Sequence, residues 1–522
     1  MKKQLFSLVA MASLLSITKP VLAATDSAAS AQDTAKMIQK MTVQAHVLES
    51  QMKTLDSQIG ELKAEQRELK AQVKTEKVAA QETTQPAVQT ESTQNTQTTL
   101  PAYTTSVQST KFCPLPTFLS GTPVTIGSYL GSHTSFSPFD LAVTYTNYME
   151  NLHILQVRQD IFNDYKKNNV AEPTGPILML SGKVEGQGIY ATTYNSAHTS
   201  KIDLTGAELD LIPIINKWAG GFVSLRYDNN PAPNMPLTNN SRVRLDQGYL
   251  TFGNLNRSPV YLTLGQFYVP FGNYSSLMIT SPMTDSVFQT RARAVELAYQ
   301  HPCNQGPYAQ VFAFNGDANA NNNNNIKNFG GNVGFGYSKG SAWNIDTSVG
   351  AITDVSDSIG MQQTFLPMGF AGFSAGNNEN LVRQVPGVAA HFNFGIGQFG
   401  MFDEYVTATS AFAPQDLMYN GYGAKPSALN LEGFYNFHVM SKPSAIVASY
   451  GQTWQALAVG APQYRYNVSF LTSVWRNTLQ QIEFRHDINY STSDISGGRG
   501  SVPTASTGGS ANTVTLLLGI YF

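Results

Sequence analysis

From about residue 177 to its end, the chain alternates apolar with polar or small side chains at a period of two, in one short segment after another. That period belongs to β-strands whose two faces meet different surroundings. In the closing run Val514, Leu516, Leu518, Ile520 and Phe522 alternate with Thr515, Leu517, Gly519 and Tyr521. Val243 and Leu245 with Tyr249, Val388 to Ile396, Leu431 to Val439, and Tyr466 with Val468 and Phe470 behave alike. The spacing predicts strands at 177–190, 201–212, 219–228, 242–252, 259–268, 292–301, 308–315, 330–338, 343–352, 386–395, 398–408, 429–439, 445–454, 464–474, 479–489 and 513–522.

A water-soluble sandwich would show the same alternation, with its apolar face as core. The gaps separate the two cases. Those at 191–200, 229–241, 269–291, 316–329, 353–385, 409–428, 455–463 and 490–512 are long, and each gap between them is six residues or fewer. Long and short gaps in strict turn are what a barrel with long external loops and short periplasmic turns produces. Segments of about ten residues, tilted near 45°, cross a hydrocarbon core. Only helices and closed barrels satisfy their backbone there, and no stretch approaches the roughly 18 uncharged apolar residues of a spanning helix. The fold class expected is an all-β transmembrane barrel of about 16 antiparallel strands over 177–522, behind an N-terminal α-helical coiled coil. Composition agrees: charged residues are 13% of the chain, about half the soluble share, and aromatics reach 11%. Phe522 on the apolar parity is like the terminal residue of outer-membrane proteins.

The N-terminal third has a different character. Lys2 and Lys3 precede an apolar run from Leu5 to Ile17, and Val21-Leu22-Ala23-Ala24 suits cleavage after Ala23, so 1–23 reads as a secretory signal. A buried N-terminal helix is the alternative. Within 24–79, one heptad register holds between residues 38 and 73, with Ile38, Ala45, Met52, Ile59, Gln66 and Val73 at a and Met41, Leu48, Leu55, Leu62 and Leu69 at d. This predicts a periplasmic coiled coil, roughly 54 Å long, that makes a homo-oligomer, with three strands favoured. A single helix packed on its own domain is the competing reading. Residues 80–112 form a Thr/Gln-rich linker without core-forming residues. Within 113–176, a periplasmic or lumenal segment, Ser137-Pro138 starts an amphipathic helix over about 138–165 through Leu141, Tyr145, Tyr148, Leu152, Leu155 and Phe162. A strand across 152–161 competes with it.

A barrel this wide keeps an aqueous lumen. The inward parity gives candidate pore-lining residues Lys183, Glu185, Arg226, Arg242, Arg244, Asp246, Glu296, His391, Glu432, Arg465, Glu483 and Arg485. Acids and bases nearly balance there, so no strong ion selectivity is expected, although Arg242 and Arg244 could guide anions. Pairing of these charges across strands is the plainer reading. Cys113 and Cys303 both fall on the short-turn side, which makes a disulfide between them an expectation; two free thiols are the alternative. No catalytic, cofactor or metal site is expected: Gly-x-Ser-x-Gly, His-Glu-x-x-His and phosphate-loop patterns are missing, and His391, His438 and His486 read as polar filling. Net charge of −2 gives no basic face for nucleic acid. The expected partners are outer-membrane lipid and a small-molecule solute.

Signal, heptad rod, Thr/Gln tether, "SPFD" at Ser137–Asp140, "LTLGQFYVPFGNY" at Leu262–Tyr274 and a terminal Phe522 together resemble the LbtU-type siderophore porins, the legiobactin-receptor family of Legionella-like bacteria. The resemblance spans nearly the whole chain. It implies an outer-membrane barrel with a periplasmic coiled coil that takes up ferric siderophore without the TonB system. Independently, 113–176 is far shorter than the plug of a 22-stranded TonB-dependent receptor. A general or anion-preferring porin without an iron role is the first alternative, and an envelope tether or adhesin anchored by a barrel the second.

Overall fold

A computed structural model describes residues 118–119, 122–126, 147–173, 175–228, 242–300, 305–316, 318–320, 326–339, 343–362, 380–498 and 503–522. The signal, coiled-coil and linker expectations, Cys113, Cys303 and their disulfide, and residues 138–146 lie outside the described residues.

Sixteen strands form the wall: β1 Ile177–Thr192, β2 His198–Ile214, β3 Ala219–Asp228, β4 Arg242–Phe252, β5 Val260–Tyr268, β6 Arg291–Tyr299, β7 Gly306–Asn315 and β8 Asn328–Ser338. They continue as β9 Trp343–Ile352, β10 Gly387–Ile396, β11 Phe399–Ala408, β12 Ser427–Val439, β13 Lys442–Trp454, β14 Tyr464–Thr472, β15 Thr478–Ile488 and β16 Ser510–Tyr521. Each pairs antiparallel with its sequence neighbour, and β16 returns to β1 from Asn512↔Thr192 to Tyr521↔Lys183. The sheet is a closed barrel. At the seam Gly182 and Phe522 exchange backbone hydrogen bonds of 2.7 and 2.9 Å. Just past Phe522, Val124–Ile126 pairs parallel with Leu178–Leu180 and covers the edge beyond the end of β16.

The strand count is the one expected, and most boundaries shift by two or three residues or fewer. Loop sorting needs one correction. β1 and β2 run on for 16 and 17 residues, so their connection is only 193–197. The hairpin stands as a tall ribbon where a long loop was expected, because the Ile189–Thr192 and His198–Ile202 segments pair with each other. A second correction concerns Tyr249, placed with Val243 and Leu245 on the apolar parity. The register slips by one between Ser224 and Leu225, opposite Asp246, so Tyr249 turns inward and is buried against Phe222 and Phe267.

The outer face is apolar on strand after strand: Val243, Leu245, Leu250, Leu264, Val295, Leu297, Val388, Leu431, Val468, Leu516, Leu518 and Ile520 are all exposed. Water would not support such a belt, whereas burying each such side chain in hydrocarbon contributes up to about 1.5–3 kcal/mol. Aromatic residues gather at both ends of the strands. Tyr337 with Trp343 and Phe399 with Tyr435 flank short turns, and Tyr405 with Trp454 flank long loops. Two aromatic girdles around an apolar belt are the interface anchors of an outer-membrane barrel. Among the described residues no helix is long and apolar enough to cross a membrane.

The interior is not empty. Helix α1, Asn147–Lys167, lies against the inward faces of β1 to β6, with Ile154, Val157, Ile161 and Phe162 packed among Ile177, Met179, Ile212, Ile214 and Phe222. The competing strand across 152–161 does not form. The one-faced pattern of the sequence is only part of its packing, since Glu150, Asn151, His153 and Arg158 are buried as well. Their surroundings are the polar lumen wall, so both sides of the helix find complementary partners.

Candidate functional site

The connection from β5 to β6, residues 269–290, turns into the barrel instead of standing above it. Its start, Val269, Phe271, Tyr274 and Leu277, is buried in the main apolar cluster, and it carries a short helix α2, Met283–Phe288. Three inward glutamates from the wall take up its backbone donors. Glu404 on β11 accepts from Asn273 N at 2.5 Å and Tyr274 N at 3.2 Å. Glu432 on β12 accepts from Leu277 N and Ser276 Oγ, both at 2.7 Å. Glu483 on β15 accepts from Ile279 N at 2.6 Å and Thr280 Oγ1 at 2.5 Å. An inward loop has backbone groups that a dry interior would leave unpaired; Glu404 and Glu483 each satisfy two of them, and Glu432 one together with a serine hydroxyl. The loop thus occupies part of the barrel interior beside β11, β12 and β15, and this level forms the waist of the barrel.

Facing it is a charged network. Asp246, at the β4 bulge, pairs with Arg226 at 3.4 Å, Arg244 at 3.7 Å and Arg291, and accepts from the Tyr268 hydroxyl at 3.2 Å. Arg226 also meets Glu208 at 3.0 Å, and Glu208 meets Lys183 at 3.8 Å. Lys183 lies 3.6 Å from Glu185, which accepts from the Tyr521 hydroxyl at 2.5 Å. On β14 and β15, Asp487 joins Arg465 at 2.7 Å and Arg485 at 3.1 Å. Arg465 and Arg485 reach on to Ser281 O and Thr280 Oγ1 of the inward loop, at 3.4 and 3.2 Å. Asp285 of α2 is within electrostatic reach of Arg226, and burial pushes its carboxyl up to about 7.

Below the waist α1 is tied to the wall by polar bonds. Arg158 donates to Thr251 Oγ1 at 3.1 Å and Gly253 O at 2.6 Å, Asn151 donates to Glu296 at 2.7 Å, and Gln247 donates to Glu150 at 2.9 Å. Towards its C-terminal end Asn163 accepts from Asn256, in the short turn after β4, at 3.0 Å, so that end lies at the short-turn rim.

The residues singled out from sequence thus divide. Lys183, Glu185, Arg226, Arg244 and Asp246 come together in one network, and Arg465 and Arg485 in another. Glu432 and Glu483 anchor the loop. Glu296 is buried under α1. Arg242 opens β4, and its side chain lies outside the described parts. His391 is buried, with Nδ1 2.7 Å from Ser348 Oγ and Nε2 3.2 Å from Asp346 Oδ1. This is a Ser–His–Asp set, which the sequence did not lead us to expect. Yet Ser348 is 6% exposed, Asp346 also accepts from Tyr308, and Asn273 of the loop sits 3.3 Å from Nε2. A nucleophilic serine must offer its oxygen to substrate; this one is sealed in the wall, and the set ties wall to loop. Among the described residues no group of His, Cys, Asp and Glu is placed to hold a metal.

Sequence reasoning missed Glu208, Arg291, Glu404 and Asp487. Asp487 shares the parity of Glu483 and Arg485, and Glu404 has an inward position on an expected strand, so both were readable. Arg291 fell one residue outside its expected strand. The bulges were not readable: one lies opposite Asp246 and the other between Glu185 and Gly186.

No family model matches the sequence. A UPF0422 protein of Legionella pneumophila strain Philadelphia 1 is 34% identical over 418 residues, 78% of this chain and 78% of its own length. A UPF0422 protein of Coxiella burnetii strain RSA 493 is 34% identical over 404 residues, 76% of this chain and 84% of its own. Among solved structures, the outer membrane channel DcaP of Acinetobacter baumannii aligns with a TM-score of 0.43 at 14% identity, over 67% of this chain and 99% of that one.

Proposed function

The chain belongs to the UPF0422 family, and from that premise we propose that it is an outer-membrane channel that admits ferric siderophore without the TonB system. The observation that carries the channel reading is the contrast between the two faces of the wall. Outside, apolar side chains stand exposed, and inside, charged side chains such as Arg244, 40% exposed, remain open to water. Lipid outside and water inside describe a conduit. The siderophore reading rests on the resemblance to LbtU-type porins. It gains support from one placement: the "LTLGQFYVPFGNY" stretch forms the end of β5 and the start of the inward loop, and so helps set the waist. Self-association through the heptads of residues 38–73 into a trimer, with the rod and a Cys113–Cys303 bridge on the periplasmic side, belongs to the same proposal.

Purified full-length protein in planar bilayers should give ohmic conductance that micromolar ferric siderophore blocks. A strain lacking the protein should grow poorly on ferric siderophore as sole iron source, with or without TonB. Conductance indifferent to ferric siderophore would remove the iron role and leave a general porin. A product that stays soluble without detergent, with no heat-modifiable mobility, would remove the channel.

A further inference from the structure

We propose that the waist is an anion filter, lined by the guanidinium groups of Arg226, Arg244, Arg291, Arg465 and Arg485, and that its solutes carry carboxylate or phosphate groups. This deepens the channel reading above and rests on it. Counting residues hides the asymmetry, because acids and bases on the inward parity nearly balance. Exposure reveals it. The side chains of Arg226, Arg244 and Arg485 are 36%, 40% and 28% exposed, whereas those of Asp246, Glu208 and Asp487 are 2%, 6% and 6% exposed. Arg291 and Arg465, at 24% and 13%, are likewise more exposed than the carboxylates they meet, so Asp246 and Asp487 lie behind their guanidinium partners.

Stoichiometry points the same way. One carboxylate, Asp246, is shared by three guanidinium groups, and another, Asp487, by two. Glu404, Glu432 and Glu483 are turned into the inward loop and are at most 6% exposed, and Glu185, 15% exposed, is held by Lys183 and the Tyr521 hydroxyl. That loop, residues 269–290, brings a single ionisable acid, Asp285, and no lysine or arginine. Asp285 is half-buried, and its raised pKa leaves it largely uncharged in mildly acidic medium. A solute at the waist therefore meets positive charge on β3, β4, β6, β14 and β15, and an almost neutral surface on the loop. In a narrow aqueous slot with low-dielectric walls the nearest charges dominate the field. Guanidinium forks match the paired oxygens of carboxylates and phosphates.

The test measures reversal potential across a planar bilayer in a KCl gradient, using full-length protein with heat-modifiable mobility. Chloride should be preferred over potassium by roughly threefold or more near 0.1 M salt, and less at 1 M, where the screening length falls from about 10 Å to about 3 Å. R226Q/R244Q/R485Q should bring the ratio close to one. R244Q alone, which removes only the most exposed of these groups, should move it part of the way. Lys201→Gln, an equal charge change outside the waist, should not shift it. Citrate and inorganic phosphate should each reduce chloride current at concentrations where glucose does not, and their relative potency tells which oxyanion is preferred. Cation preference in the wild type, an unshifted ratio in the arginine variants, or equal block by glucose would overturn the filter while leaving the channel in place. Absence of any conductance would overturn both.

Discussion

Glu432 shows how single side chains shape the lumen. Its two oxygens receive Ser276 Oγ and Leu277 N from a segment about 155 residues away in sequence. Glutamine could not do this as well, because its amide offers one acceptor oxygen where the carboxyl group offers two, and a buried donor left unpaired costs about 1–3 kcal/mol. Glu432→Ala should therefore loosen the inward loop by about 3 kcal/mol. The expected readout is a larger and noisier single-channel conductance in a protein that still shows heat-modifiable mobility, with Glu432→Gln intermediate because one acceptor oxygen remains. Conductance identical to wild type would mean that the carboxylate is not what holds the loop. Parity alone marks Glu432 and Glu483 as inward. It cannot say that they bind a loop and not a solute, because their partners are serine and threonine hydroxyls, common anywhere in a chain, and backbone N–H groups, which every residue but proline has.

Among the elements, helix α1 departs most from what its pattern implied. Its 4,3 spacing is legible in Leu152, Leu155 and Phe162, but an apolar stripe does not tell that the opposite face is also enclosed. Enclosure has an electrostatic consequence. Glu150 faces Gln247, which donates to it, and it lies within reach of Glu208, Asp246 and Asp210 as well as Arg226. Burial pushes its carboxyl from the usual 4.5 up to about 8. A carboxyl with a higher pKa docked than released favours docking most fully below 4.5. That preference weakens by about 1.4 kcal/mol per pH unit as pH rises, and changes no further above about 8. Amides of α1 should accordingly lose exchange protection between pH 5 and about 8, after correction for intrinsic rates. Glu150→Gln, neutral throughout, should abolish that dependence and seat the helix more firmly by about 3 kcal/mol near neutrality. The same pH slope in wild type and variant would show that another group governs docking.

For the whole molecule, the decisive information was in the order of gap lengths more than in any strand. Alternation fits a sandwich and a barrel equally well. Sorted gaps fit only strands that all cross one layer, and the closing pair β16–β1 completes what that ordering implies. Closure itself, the seam at Gly182 and Phe522, and the ribbon of β1 and β2 depend on pairing between segments far apart in sequence, which no local period encodes. The claim that lipid surrounds the wall can be tested by depth. Leu516 stands mid-way along β16, paired with Ile482 and Gly188, while Ile520 stands near the short-turn rim, and both are exposed on the outer face. In water, arginine at either site would be nearly neutral. In a bilayer, arginine at the midplane costs about 2–4 kcal/mol and near the interface about 0–1. Leu516→Arg should lower the denaturant midpoint for refolding into lipid vesicles well below wild type, with Ile520→Arg close to it. Because the two substitutions add the same charge to the same strand and face, only the thickness of the surrounding hydrocarbon can set them apart, so equal midpoints would argue that no bilayer encloses this belt.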